Sequence, residues 1–102
     1  RMAMDIVSHW TIAIQPAMAA RFSIYAYDSD SGNPVQDAFI RVWNGNDLKD
    51  DGYTDSHGVF VTTDLFDGVI YRIKGETYNK WAEISYLAES ANSTEIKIYL
   101  RT

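Results

Sequence analysis

The stretch FSIYAYD, residues 22–28, has the two-residue period of a β-strand. Successive side chains of an extended chain point to opposite faces, so Phe22, Ile24 and Ala26 share one face. The same alternation returns in AFIRVW at residues 38–43 and in EIKIYL at residues 95–100. Short alternating segments separated by turns rich in Gly, Asp and Asn predict an all-β fold, an antiparallel β-sandwich.

Working outward from these segments, we expect further short strands at about 53–55, 59–63, 69–74, 80–86 and 94–101. The run NGNDLKDDG, residues 44–52, is interpreted as a polar loop. Helix-forming residues at 85–91 favour a short helix there. The side chains that share the inward phase of successive strands are Ile24, Ile40, Val42, Phe60, Tyr71, Ile96 and Ile98.

The N-terminal residues form a separate unit of the pattern. In DIVSHWTIAIQ, residues 5–15, the same face carries Ile6, Trp10, Ile12 and Ile14, and Pro16 ends the alternation. We therefore divide the chain into an N-terminal strand extension with a hinge at residues 1–20 and a β-sandwich domain at residues 21–102. Such a spare strand can pair within its own chain or with the open sheet edge of a neighbour.

Composition narrows the class of partner. The 102 residues carry 9 Lys and Arg against 14 Asp and Glu, a net charge of -5, which opposes binding to nucleic acid. No segment reaches the roughly 20 continuous apolar residues of a membrane span. With no cysteine, the chain lacks thiolate catalysis and zinc-thiolate sites.

Three motifs from Phe22 onward carry a family resemblance. They are the turn and strand DSDSGNPVQDAFIRV, the tight turn TDSHGVF, and the Gly-led strand GVIYRIKGETY. In this order they resemble the carboxypeptidase-regulatory-like, or prealbumin-like, β-sandwich family, which is similar to the B-type repeats of bacterial adhesins. The resemblance implies an Ig-like or prealbumin-like sandwich with Ala38, Ile40, Val42, Phe60 and Tyr71 in the core. It implies no activity, because that family contains spacers, stalks and accessory domains.

We expect no enzymatic activity. Nucleophilic catalysis needs a base beside the nucleophile and a group that orients the base. His9 lies within the N-terminal strand and His57 at the tip of a turn, and neither has such a setting. We likewise expect no required cofactor.

Two loop clusters of aspartates raise the question of calcium, which takes six to eight oxygen ligands. The candidate ligands are Asp28, Asp30, Asp50 and Asp51, although aspartate is also favoured in turns for local reasons. Asn92 begins an Asn-Ser-Thr triplet that is a glycosylation site only if the protein is exported.

The most informative feature is the outward phase of the first two core strands. Tyr25, Tyr27, Phe39 and Trp43 are predicted to point away from the core, and so much aromatic surface calls for a cover. The cover is the N-terminal segment, another copy of the protein, or a stacked sugar. The sequence favours a structural subunit of an extracellular or cell-surface filament, or of a virion-type assembly, which binds copies of itself through Ile6, Trp10, Ile12 and Ile14 and that aromatic face. The alternative is a carbohydrate-binding or spacer module of a larger secreted protein, with Trp43 or Tyr53 contacting sugar.

Overall fold

The computed structural model describes residues 18–102, which form seven β-strands and no helix. The strands are β1 (Ala19–Asp28), β2 (Phe39–Asn44), β3 (Asp47–Tyr53), β4 (Val59–Phe66), β5 (Ile70–Glu76), β6 (Trp81–Leu87) and β7 (Glu95–Leu100). They build two sheets: one of three strands in the order β4-β1-β7, and one of four strands in the order β3-β2-β5-β6. The all-β sandwich predicted from the alternation is confirmed.

The core lies between the two sheets and follows the predicted phase. In β1 the inward residues Phe22, Ile24 and Ala26 are fully buried, and in β2 Ile40 and Val42 are fully buried. β5 and β7 contribute Tyr71, Ile73, Ile96, Ile98 and Leu100. Phe60 differs from the prediction, because it is only partly buried and packs against this core.

The direction of pairing departs from the antiparallel prediction at one place. β1 pairs antiparallel with β4, but it pairs parallel with β7, with Ser23 opposite Glu95 and Asp28 opposite Leu100. The pairs within the four-stranded sheet are antiparallel. Alternation fixes which face a side chain takes but does not fix strand direction, so the parallel pair had no signal in the sequence.

Two segments expected to be irregular or helical contain strand residues instead. The run interpreted as a polar loop contains β3, whose hydrogen bonds to β2 outweigh the low strand propensity of Asp and Gly. The helix favoured at residues 85–91 is absent, because β6 continues to Leu87 in register with β5. β1 also begins at Ala19, so the last two residues of the predicted hinge belong to the sandwich.

A β-bulge in β4 is held by a buried hydroxyl. The register between β1 and β4 shifts between Arg21 and Ser23, which leaves Phe22 without a regular partner. The Thr62 Oγ1 atom instead accepts a hydrogen bond from the Phe22 N–H at 3.0 Å and donates one to the Thr63 carbonyl at 2.6 Å. The side chain thus replaces the missing ladder bond, as a buried backbone amide requires.

The TDSHGVF turn is closed by Asp55. Its Oδ1 atom accepts hydrogen bonds from the backbone N–H groups of His57 at 2.8 Å and Val59 at 3.0 Å. These bonds, chiefly the one from Val59, lower the pKa of the Asp55 carboxyl. Gly58 takes a positive φ of 78° within the turn, where a side chain would also collide with the Ala26 carbonyl.

Candidate assembly surface

The predicted aromatic face is divided between the two outer faces of the sandwich. Tyr25 and Tyr27 lie on β1 in the three-stranded sheet, whereas Phe39 and Trp43 lie on β2 in the four-stranded sheet. Because the two sheets pack through their inner faces, these pairs lie on opposite sides of the molecule. The four residues therefore do not form one patch.

On the three-stranded sheet the tyrosines stack on one another. The ring centroids of Tyr25 and Tyr27 are 6.4 Å apart, and those of Tyr27 and Tyr99 are 5.6 Å apart, both in stacked arrangements. The Tyr25 hydroxyl donates to Glu95 Oε2 at 3.5 Å, and the negative charge of Glu95 raises the pKa of that phenol. Tyr25 and Tyr27 are half-buried by these contacts, and Tyr99 remains 52% exposed.

On the four-stranded sheet, arginines cover the aromatic rings. The Arg72 guanidinium lies 4.1 Å from the centre of the Trp43 ring, and the Arg41 guanidinium lies 5.2 Å from the same ring and 5.1 Å from that of Phe39. Arg41 is held by an ion pair with Glu76. Phe39 and Trp43 are half-buried in consequence. Cation–π contacts within the chain thus give both rings a cover that the sequence pattern did not reveal.

The candidate calcium ligands lie on different elements. Asp28 ends β1 and forms an ion pair with Lys80, and its Oδ1 atom accepts the backbone N–H groups of Asp30 and Ser31. The hydrogen bond from Lys80 is the main cause of the lowered pKa of Asp28, and the same bond raises the pKa of Lys80. Among residues 18–102, no three acidic or histidine side chains come together as a metal site would require.

Asp50 and Asp51 belong to β3, in the other sheet. Asp50 Oδ2 accepts the Thr63 N–H at 2.7 Å and so links the edge of β3 to β4. Asp51 donates its N–H to Asp50 Oδ1 at 2.9 Å. Asp28 and Asp50 therefore have structural partners within the chain.

The remaining predicted residues are distributed as follows. Asn92 is exposed in the loop before β7 and donates from Nδ2 to Glu89 Oε1 at 3.1 Å. His57 is exposed at its turn. The predicted residues Ile6, His9, Trp10, Ile12 and Ile14 lie outside the described part of the chain.

The two open sides of the sandwich differ in character. On one side, β3 and β4 are joined by the Asp50–Thr63 hydrogen bond, and the ring of Phe60 lies against Gly52. On the other side, the only backbone pairing between the β6 and β7 regions within residues 18–102 joins Trp81, at the start of β6, to Arg101, just after β7. A groove of about 360 Å³ opens between these strands and is lined by Ala82, Ile84, Lys97, Ile98 and Tyr99, among others.

Comparisons with known proteins give no relative from which the role of these surfaces could be inferred. The sequence matches no family model, and comparisons with curated proteins and with solved structures gave no significant match. The resemblance to the prealbumin-like family therefore stays a prediction beyond the β-sandwich itself. In residues 18–102 no helix is long and apolar enough to cross a membrane.

Sequence reasoning missed the groove between β6 and β7. A usable signal was present in WAEISYL at residues 81–87 and EIKIYL at residues 95–100, which are regular strands without Gly or Pro. Natural edge strands usually carry such interruptions or inward-pointing charges. Which strands form the edges depends on sheet order, and the order could not be read from the alternation.

Proposed function

We propose that the protein is a non-enzymatic structural subunit of an extracellular filament or virion-type assembly, and that residues 5–15 link each copy to the next as an added β-strand. The observation that supports the proposal is the position of β1. It is the central strand of its sheet, with β4 on one flank and β7 on the other from Ser23 onward. Residues 5–15 therefore precede a strand, β1, that has almost no free edge with which they could pair.

The chain that enters β1 is also directed along β4. The Met18 carbonyl accepts a hydrogen bond from the Asp67 N–H at 2.7 Å, just beyond the pair formed by Ala19 and Phe66. Pro16 favours an extended conformation for the residue before it. Only residues 19–22 of β1 lack a partner on the β7 side, so a hairpin folded back onto β1 would meet β7 after about four residues. An 11-residue strand finds too little pairing there.

The sandwich has its core without the N-terminal segment. The buried residues of the described chain extend from Phe22 to Leu100 and come from both sheets. A surplus strand beside a sandwich with an open sheet edge allows strand exchange between copies. Because donor strand and acceptor edge are different surfaces, the contact is head-to-tail and produces a chain of subunits.

Deletion of residues 1–16 tests this function. The full-length protein should elute as polymer, whereas the truncated protein should elute as a monomer with an unchanged β-sheet circular dichroism spectrum and a cooperative melt. A control deletes residues 1–4 only, which precede the patterned segment, and should polymerise as the parent does. A monomeric full-length protein whose truncation abolishes the melt would show that the segment pairs within its own chain, and the proposal would be wrong.

A carbohydrate-binding module remains the second candidate, and one observation favours it. Tyr53 is 64% exposed, and its ring, which lies 5.1 Å from that of Phe39 at an angle of 31°, is a planar aromatic surface of the kind that sugars stack on. Trp43 is a poorer platform because Arg72 stacks on its ring. Retention on immobilised polysaccharide that disappears in Tyr53→Ala, but not in the matched exposed variant Tyr78→Ala, would support this function over the first.

A further inference from the structure

The three-stranded sheet is one strand narrower than the sheet it covers, and β6 is the strand left without a full cover. β7 contacts both β5 and β6 across the core, so it stands over the boundary between them. The inward side chains of β6, Ala82, Ile84 and Tyr86, pack against the core but are only half-buried. The corresponding inward residues Tyr71 and Ile73 of β5 are buried. One more strand beside β7 would lie over β6.

The free edge of β7 presents backbone groups suited to such a strand. The backbone carbonyl of Leu100 accepts a hydrogen bond from the Ser29 N–H, so the backbone groups of Leu100 face β1. In the parallel pairing, the backbone groups of the alternate residues Ile96 and Ile98 face β1 as well. The alternate residues Lys97 and Tyr99 direct their N–H and C=O groups outward. Within residues 18–102 these groups have no strand partner, because the only backbone pairing along this edge is the bridge between Arg101 and Trp81.

The opposite side of the sandwich shows how an edge is protected in this protein. β3 carries Asp47, Lys49, Asp50 and Asp51, β4 is bulged, and the two strands are linked by Asp50. Charges and bulges of this kind discourage pairing with another chain. β7 also carries charges, at Glu95 and Lys97, but its six residues have no bulge in their pairing with β1 and include neither Pro nor Gly. The less protected edge is therefore the one next to the incompletely covered strand β6.

We propose that the edge of β7, together with the inward face of β6, is the acceptor site for residues 5–15 of a second copy of this chain. This inference rests on the proposed function and names its receiving surface. The added strand bonds to the outward N–H and C=O groups of Lys97 and Tyr99. Its apolar face, which carries Ile6, Trp10, Ile12 and Ile14, covers Ala82 and Ile84 in the groove.

The occupant is a neighbour rather than the same copy because of where the chain leaves the sandwich. Met18 is bonded to Asp67 at the end of β4, which lies on the flank of β1 opposite to β7. To reach its own β7 edge, the chain would have to reverse and pass beneath both β1 and β7 within Pro16 to Met18. Three extended residues span about 10 Å, which equals about two strand spacings. This length leaves no residue for the turn, so the segment cannot reach its own β7 edge.

The test uses proline to remove one outward N–H from each edge of the full-length protein. Lys97→Pro removes an amide that makes no bond to β1, and proline is tolerated at such edge positions. The matched control is Asp51→Pro on the protected edge of β3, where the N–H bonds only to Asp50. Ala82→Lys provides a second acceptor variant, because it fills the groove with a long side chain and leaves the backbone of β7 intact.

We expect Lys97→Pro and Ala82→Lys to sediment as monomers, and Asp51→Pro to polymerise like the parent. Polymerisation of Ala82→Lys, or of a folded Lys97→Pro, to the parental extent would overturn the β7 assignment, and so would loss of polymer in Asp51→Pro alone. The deletion of residues 1–16 separates the two levels of the proposal. If the deletion yields monomers while the acceptor variants still polymerise, the linking function stands and only the acceptor site is wrong. If the deletion changes nothing, the linking function itself fails.

Discussion

Gly52 of β3 lies directly against the ring of Phe60 of β4, and a Cβ atom at position 52 would overlap that ring. This contact lies on the β3–β4 side of the sandwich, where a glycine allows the two sheets to approach closely. On the β6–β7 side, Ala82 and Ile84 of β6 instead face a groove. This asymmetry between the two sides is the reason why we propose strand addition at the β7 edge.

Gly52→Ala should therefore destabilise the domain by about 1 to 3 kcal/mol, the usual cost of overpacking a core. Phe60→Leu in the same chain removes the ring and should recover part of that loss, so the two changes are expected to be non-additive. Urea unfolding of the two single variants and the double variant measures the coupling. Additive free energies would show that the ring does not constrain residue 52.

The partial exposure of Phe60 changes the expected cost of truncating it. Phe22→Ala should cost about 3 to 5 kcal/mol, since Phe22 is fully buried. Phe60→Ala should cost about 2 kcal/mol, because less of its surface leaves water on folding. Chemical denaturation of the two variants measures the loss in the free energy of unfolding, which shows how deeply each ring is buried. Equal losses would mean that Phe60 is buried as deeply as Phe22.

The bulge in β4 depends on one hydroxyl group. Thr62→Val keeps the side-chain shape but leaves the buried N–H of Phe22 without its acceptor, which should cost about 1 to 3 kcal/mol. Thr63→Val is the matched control, because Thr63 is exposed. We expect the control to change the free energy of unfolding by less than about 0.5 kcal/mol. A loss in the control as large as that in Thr62→Val would remove the special role of the hydroxyl.

Acid should weaken the fold through Asp28 and Asp55. Both carboxyls have a folded-state pKa below the ordinary value, chiefly because of hydrogen bonds from Lys80 and Val59 respectively. A depressed folded-state pKa contributes stability above the unfolded-state pKa of about 3.9, and this contribution disappears as the pH falls through the folded-state value. Melting temperatures measured from pH 6 to pH 2 should decline less steeply in Asp55→Asn, which keeps the acceptor oxygen but cannot titrate. An unchanged slope would exclude Asp55 as a contributor.

How far the sequence predicts this protein depends on which interaction decides each feature. The inward residues of β1, β2, β5 and β7 were predictable, since the two-residue period is set by local geometry and burial. The acidic strand β3 was not, because its pairing with β2 overrides the low strand propensity of its residues. Phe39 and Trp43 were placed on the outward phase correctly, but their coverage by Arg41 and Arg72 depends on neighbouring strands that the sequence does not order. The groove between β6 and β7 follows from the sheet order alone.

The most direct test of strand exchange mixes two full-length variants, each with one defective surface. Trp10→Asp with Ile12→Asp disables the donor segment and retains the acceptor, while Lys97→Pro disables the acceptor and retains the donor. Each variant alone should sediment as an 11.6 kDa monomer. The equimolar mixture should form a 1:1 dimer that grows no further, because the only intact donor binds the only intact acceptor. A mixture that stays monomeric, or a donor-deficient variant that polymerises alone, would contradict the account.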